Sequence, residues 1–316
     1  MRFIYGSPVG PIDQSLPLPP PVLADGGPVV APDSIDDEQK LRLKELQRAF
    51  PFVPAAATDV LLLIPTQAPV HLLLNRLAAA KPLHRLDLQG SVNVEGGSGG
   101  ELGRFLEIGS WFLKTSLDRS FERLDQAMSQ EMEQERIRRR LRIYQAERLW
   151  FLSRGTDGRI WACSLTPRLL TLRELFNQTG GDDQCWKLFL KALSWTLELL
   201  ERWNVVLDCN PNNFGIGEQR LYYLDDDLMS PCGHVAWVTQ ALLRLREYPR
   251  AAPELRRAFV LGIRDLLQEH PSEKLKQWGL IDDLDHRELW PPEPEIRQIL
   301  ENLLNQLRST RRKGKR

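Results

Sequence analysis

The sequence predicts an α+β chain in two parts, a small antiparallel β segment with one long helix, followed by a mostly helical segment. Three observations predict it. Residues 86–116 alternate short apolar runs with glycine turns, residues from about Asp118 to Gln145 form a charged helical stretch, and beyond Pro167 the apolar positions shift to helical spacing.

Bulk composition sets the frame. With 316 residues and 42% hydrophobic content the chain can bury one large core or two modest ones. Forty-two basic residues balance 42 acidic ones, so no overall field points to nucleic acid or to a membrane surface. The four cysteines, Cys163, Cys185, Cys209 and Cys232, are too far apart for a metal knuckle and too few for a disulfide framework. They favour a reducing compartment, and a cytoplasmic location is expected. The longest apolar stretch, "DVLLLIP", is too short to span a bilayer, so no membrane span is expected.

Residues 1–34 are crowded with proline and glycine and read as a flexible leader. From Ser34, "SIDDEQKLRLKELQRAF" has a capping serine, early acids and later bases, the marks of a charged helix. It opens an N-terminal extension, residues 35–85, to which the sequence assigns no role. Residues 86–167 form the β part: strand, glycine-rich loop, strand, Gly109-Ser110 turn, strand, long helix, and then "RLWFLSR" and "RIWACSL" joined by Thr156-Asp157-Gly158. Residues 168–308 form the helical part. Its first long helix carries Trp186, Leu190, Leu193, Leu197 and Leu200 as one apolar stripe, and further helices are expected at about 234–247, 254–269 and 294–308. The basic tail, residues 309–316, reads as a solvated end, and the arginines at 138–140 as part of a solvated helix face.

Between the stripe helix and the next strand lies "VVLDCNPNNFGI", a poor helix and a poor strand interior. The following strand, "RLYYL", ends in Asp225, Asp226 and Asp227. If the two strands form a hairpin, their ends bring Asp208, Asn213 and these acids together. Hard oxygen donors from separate loops suit Mg²⁺, which shares carboxylates with phosphate. None of the five histidines has a metal-binding pattern, and no nucleophile elbow is present.

"D-C-N-P-N-N" resembles the D-x-x-P-x-N catalytic loop of the protein-kinase-like superfamily, which includes the aminoglycoside and other small-molecule phosphotransferases. The resemblance implies a bilobal fold in which Asp208 orients or deprotonates the acceptor hydroxyl. Asn213 and Asp225, or Asp226 if the hairpin varies by one, then hold the metal. Upstream, Gly97, Gly99 and Gly100 stand where that family closes a glycine-rich loop over phosphates, and Lys114 stands on the third strand. Glu131 or Glu135 on the long helix is the counterpart that orients the lysine, and Leu165 and Thr166 fall at the hinge that contacts adenine. ATP and Mg²⁺ are the implied cofactors, with an unknown hydroxyl-bearing acceptor or protein partner.

The match departs from the family at defined places. Val206 replaces the histidine that usually stands two residues before the aspartate, and Asn210 replaces a lysine that would neutralise the transferring phosphoryl group. The glycine spacing is one residue off, and Asp226-Asp227 replaces Phe-Gly. The expectation is therefore an atypical ATP- and Mg²⁺-dependent phosphotransferase. The alternative is a catalytically silent pseudokinase acting as a nucleotide-binding or protein-interaction module.

Overall fold

The computed structural model describes residues 35–64, 68–79, 104–108, 110–115, 119–217, 220–226, 228 and 237–309. The chain is α+β with antiparallel sheets and divides into two compact units, Met1–Arg168 and Leu169–Arg316. Among the described residues no helix is long and apolar enough to cross a membrane. The leader, the glycine-rich loop and the basic tail beyond Ser309 lie outside the described residues.

In the first unit, α1 (Asp37–Ala49) precedes β1 (Val60–Ile64) and α2 (Val70–Ala78). The helix α1 starts two residues later than the serine suggests. Its cap is Asp36, which accepts the Gln39 N–H at 2.8 Å while the Gln39 side chain accepts the Asp36 N–H at 3.0 Å. There follow β2 (Arg104–Ile108), β3 (Trp111–Thr115), β4 (Ser120–Phe121), α3 (Leu124–Leu141), β5 (Leu149–Arg154) and β6 (Ile160–Pro167). The long helix starts six residues later than its charge pattern suggests. Ser120 and Phe121 are claimed by the sheet instead, pairing with Trp161 and Ile160 of β6.

The sheet runs β1-β5-β6-β3-β2, with β4 also on β6. Its register explains how both faces are covered, since cross-strand partners point the same way. Leu113, Leu165 and Leu149 are opposite one another, as are Leu63, Phe151 and Cys163, and all six belong to one core with Leu43 and Leu46 of α1 and Leu73, Leu74 and Leu77 of α2. The extension is thus a covering layer on this face. On the other face Leu152, Ala162 and Ile160 pack with Phe121 and with Ala127 of α3. The β5–β6 turn closes as its sequence suggests: Gly158 takes φ 79°, and the Gly155 N–H donates to Arg159 O at 2.8 Å.

The second unit begins with β7 (Leu170–Thr171), α4 (Leu172–Thr179) and α5 (Asp183–Trp203). The five stripe residues of α5 are all buried. A hairpin, β8 (Phe214–Gly217) and β9 (Arg220–Tyr223), forms a three-stranded sheet with β7. The rest is α6 (Trp237–Glu247), α7 (Pro253–Gln268), α8 (Ser272–Gln277), α9 (Leu280–Leu284) and α10 (Pro294–Ser309). Helix α7 packs on α5 through Phe259, which stacks on Phe189 with ring centres 5.7 Å apart. Gly262 lies on the same face, where any Cβ would overlap Cδ2 of Leu190.

Candidate functional site

The segment after α5 is shaped first by how that helix ends. Asn204 adopts φ 53° and its N–H returns to Leu200 O at 3.2 Å, which stops the helix without a glycine. Val205, Val206 and Leu207 are then buried, anchoring the chain just before the polar loop. Asp208 emerges half-buried. Its Oδ1 accepts the Asn210 N–H at 3.0 Å, and Asn210 Oδ1 in turn accepts the Asn212 N–H at 3.1 Å. These are two successive side-chain turns, the role for which Asp and Asn are favoured in loops. Pro211 opens a single tight turn through Asn213, closed by the Asn213 N–H on Asn210 O at 2.8 Å.

This turn brings Asn213 back to Asp208, its Nδ2 donating to Asp208 Oδ2 at 2.9 Å. An ionised carboxylate only accepts, so the amide must present its NH₂ to Asp208, which leaves Asn213 Oδ1 as an acceptor directed elsewhere. The loop is also tied to the end of β9. Leu224 N–H donates to Asn213 O at 2.7 Å, and Asp208 N–H donates to the Tyr223 hydroxyl at 3.1 Å. Asp225 follows directly, half-buried, with its Oδ1 accepting the Asp226 N–H at 2.8 Å, whereas Asp226 is buried. Asp208, Asn213 and the root of Asp225 therefore belong to one hydrogen-bonded assembly. Asp227 lies outside the described residues.

Cys209 points inward, away from this polar edge. It is buried, with Sγ 3.2 Å from Thr196 Oγ1, and desolvation raises its pKa to about 12, opposed by the Thr196 hydrogen bond and helped by the Asp208 charge. It is a packing residue.

In the first unit Lys114 stands mid-strand on β3, opposite Phe105 of β2 and Ser164 of β6, and Ser164 is opposite Trp150 of β5. Register thus sets Lys114 on the sheet face that packs against α3. Glu131 is nearly fully buried and is held by two arginines, Arg119 Nη2 at 2.7 Å and Arg138 Nη1 at 2.9 Å. Glu135, also buried, is one turn further along α3. The guanidinium of Arg138 lies 4.9 Å from the Trp150 ring centre, and that of buried Arg148 lies 5.1 Å from the Trp150 and Tyr144 rings. The expectation that Arg138 belongs to a solvated face is corrected: only 3% of it is exposed, because a buried carboxylate needs a buried cation. Leu165 and Thr166 lie within the paired part of β6, opposite Leu113 and Phe112, and both are buried. Gly97, Gly99 and Gly100 lie outside the described residues.

Sequence reasoning missed Arg119, Arg148 and Tyr223. Arg119 falls in a run that reads as charged helix, and Arg148 and Tyr223 fall in apolar strand runs, so none carries a local signal of its distant partner. Among the described residues no group of three or more His, Cys, Asp or Glu side chains is arranged to hold a metal ion. Asn213 Oδ1 and an aspartate after β9 would instead make a two-donor set, one that phosphate oxygens and water have to complete. Comparison of the chain with family models, with curated proteins and with solved structures returns no match.

Proposed function

We propose that the chain is an atypical ATP- and Mg²⁺-dependent phosphotransferase with a bilobal, protein-kinase-like fold, transferring the γ-phosphoryl group to a hydroxyl. The observation that carries the reading is the Asn213–Asp208 hydrogen bond, with Leu224 N–H clasping Asn213 from the β9 end. One residue cluster thereby offers a carboxylate for a hydroxyl proton and an amide oxygen for a metal. The order β2-β3-β6-β5 adds support, with the long helix entered after β3 and left before β5, and packed on the Lys114 face.

Each residue then has a role. Asp208 accepts a hydrogen bond from the acceptor hydroxyl and holds it for in-line attack. Asn213 and Asp225 would hold Mg²⁺, with Asp226 the alternative ligand; Asp225 is favoured because it is the more exposed of the two. Bound Mg²⁺ supplies charge neutralisation to the phosphates. Lys114 binds the α and β phosphates as a fixed positive charge. Glu131 or Glu135 would orient Lys114; Glu131 is also held by Arg119 and Arg138.

One observation favours the silent alternative. Asn210, at the position of the family lysine, is neutral, and its side-chain oxygen serves the loop itself by accepting from Asn212. ATP turnover by wild type and Asp208→Ala, measured with candidate hydroxyl acceptors and with water, tests between the two. A fall of roughly a hundred- to ten-thousand-fold in the variant is expected of a base or hydroxyl-orienting group. Equal rates overturn the transferase reading.

A further inference from the structure

Resting on the phosphotransferase reading, we infer that Tyr223 is the positioning residue for Asp208, doing the anchoring that Val206 cannot. The residues ahead of the loop, Val205 to Leu207, are apolar and buried, so none offers a side-chain hydrogen bond to hold the backbone where Asp208 leaves the core. The Tyr223 hydroxyl does, accepting the Asp208 N–H at 3.1 Å across fifteen residues of sequence. A phenol is a useful anchor only if it cannot move. Tyr223 is fully buried, and its ring packs at 57° on that of Phe214, centre to centre 5.3 Å.

The two rings belong to the residues that bracket the site. Phe214 immediately follows Asn213, Tyr223 stands two residues before Asp225, and the two are direct partners in the β8–β9 register. The Asp208 carboxylate is thus fixed from both sides. Its backbone hangs on Tyr223, and its Oδ2 receives the amide of Asn213, whose carbonyl accepts from Leu224, the residue after Tyr223. Removing one oxygen from Tyr223 frees the Asp208 backbone while leaving the aromatic packing and the donors for metal in place. The effect should fall on alignment of the acceptor hydroxyl and not on nucleotide binding.

The test uses the full chain and the variants Tyr223→Phe and Tyr222→Phe, the second changing a neighbouring phenol as a control. Amide exchange at Asp208, followed by NMR, should quicken by roughly three- to tenfold in Tyr223→Phe, the span of one net hydrogen bond, and be unchanged in Tyr222→Phe. Turnover should fall by a similar factor in Tyr223→Phe with KM for ATP within about twofold of wild type, since only transition-state alignment is lost. Unchanged Asp208 exchange, or a fall in turnover matched by a rise in KM, overturns the inference. If wild type shows no turnover at all, the phosphotransferase reading fails by itself. The exchange measurement then still decides whether Tyr223 anchors Asp208.

Discussion

Asn213 can face Asp208 in only one way, and the proposed chemistry turns on that restriction. With its NH₂ committed to Asp208, its oxygen is left as a hard donor, the one the proposed function assigns to the metal. Asn213→Ala removes the ligand and one partner of the carboxylate together. It is expected to lower Mg²⁺-dependent turnover by at least tenfold and to raise the Mg²⁺ concentration needed for half-maximal rate, which a metal titration reads. The neighbouring thiol gives a pH prediction of different origin. Burial raises Cys209 from its ordinary value of 9.0 to about 12, so the folded state keeps a proton that the unfolded state gives up first. The stabilisation is fully present below pH 9 and is lost as pH rises toward 12. Stability measured by urea unfolding should therefore decline from pH 9 upward, and Cys209→Ala should flatten that decline. A decline of the same slope in the variant would assign it to other groups.

At the scale of elements, legibility followed the range of the interactions. The α5 stripe from Trp186 to Leu200, the β5–β6 turn at Gly158 and the β8–β9 hairpin could be read locally, because 3.6-residue spacing, a positive-φ glycine and alternating strands act within a few residues. The start of α3 could not. Its charged pattern extends back to residue 118, yet Phe121 gains more by joining β6 and the core than by extending a solvated helix. Nor could β1: "VLLLI" is a short apolar run that suits strand or helix, and only its pairing with β5 decides. The loop motif was legible as a chain of polar residues, but its tie to Tyr223 depends on the hairpin register. Two substitutions probe the elements. Glu131→Ala strands two buried guanidinium groups, and is expected to destabilise the protein by about 3–5 kcal/mol in urea unfolding. Gly262→Ala, where α7 meets α5, should destabilise by about 1–3 kcal/mol despite the better helix propensity of alanine, because Leu190 must give way. An unchanged midpoint would mean that the contact relaxes freely.

For the whole molecule, the extension has a structural reason that its sequence hides. Leucines of α1 and α2 cover one face of the first unit's sheet, and without them Leu113, Leu149, Phe151, Trp161, Cys163 and Leu165 lose their cover. A chain beginning at residue 80 is expected to aggregate or to bind a hydrophobic dye, whereas an independently folded appendage could be removed without either effect. The second unit builds its core around α5, whose C-terminal stop at Asn204 leads through buried Val205–Leu207 to the half-buried Asp208. Nucleotide binding is tested most directly by thermal unfolding of the full chain with and without ATP and Mg²⁺. A ligand at a hundred times its dissociation constant stabilises by about 2.7 kcal/mol. An upward shift of a few degrees at millimolar MgATP, reduced in both Lys114→Ala and Asn213→Ala, is expected. No shift in wild type at that concentration contradicts nucleotide binding, and with it the proposed function.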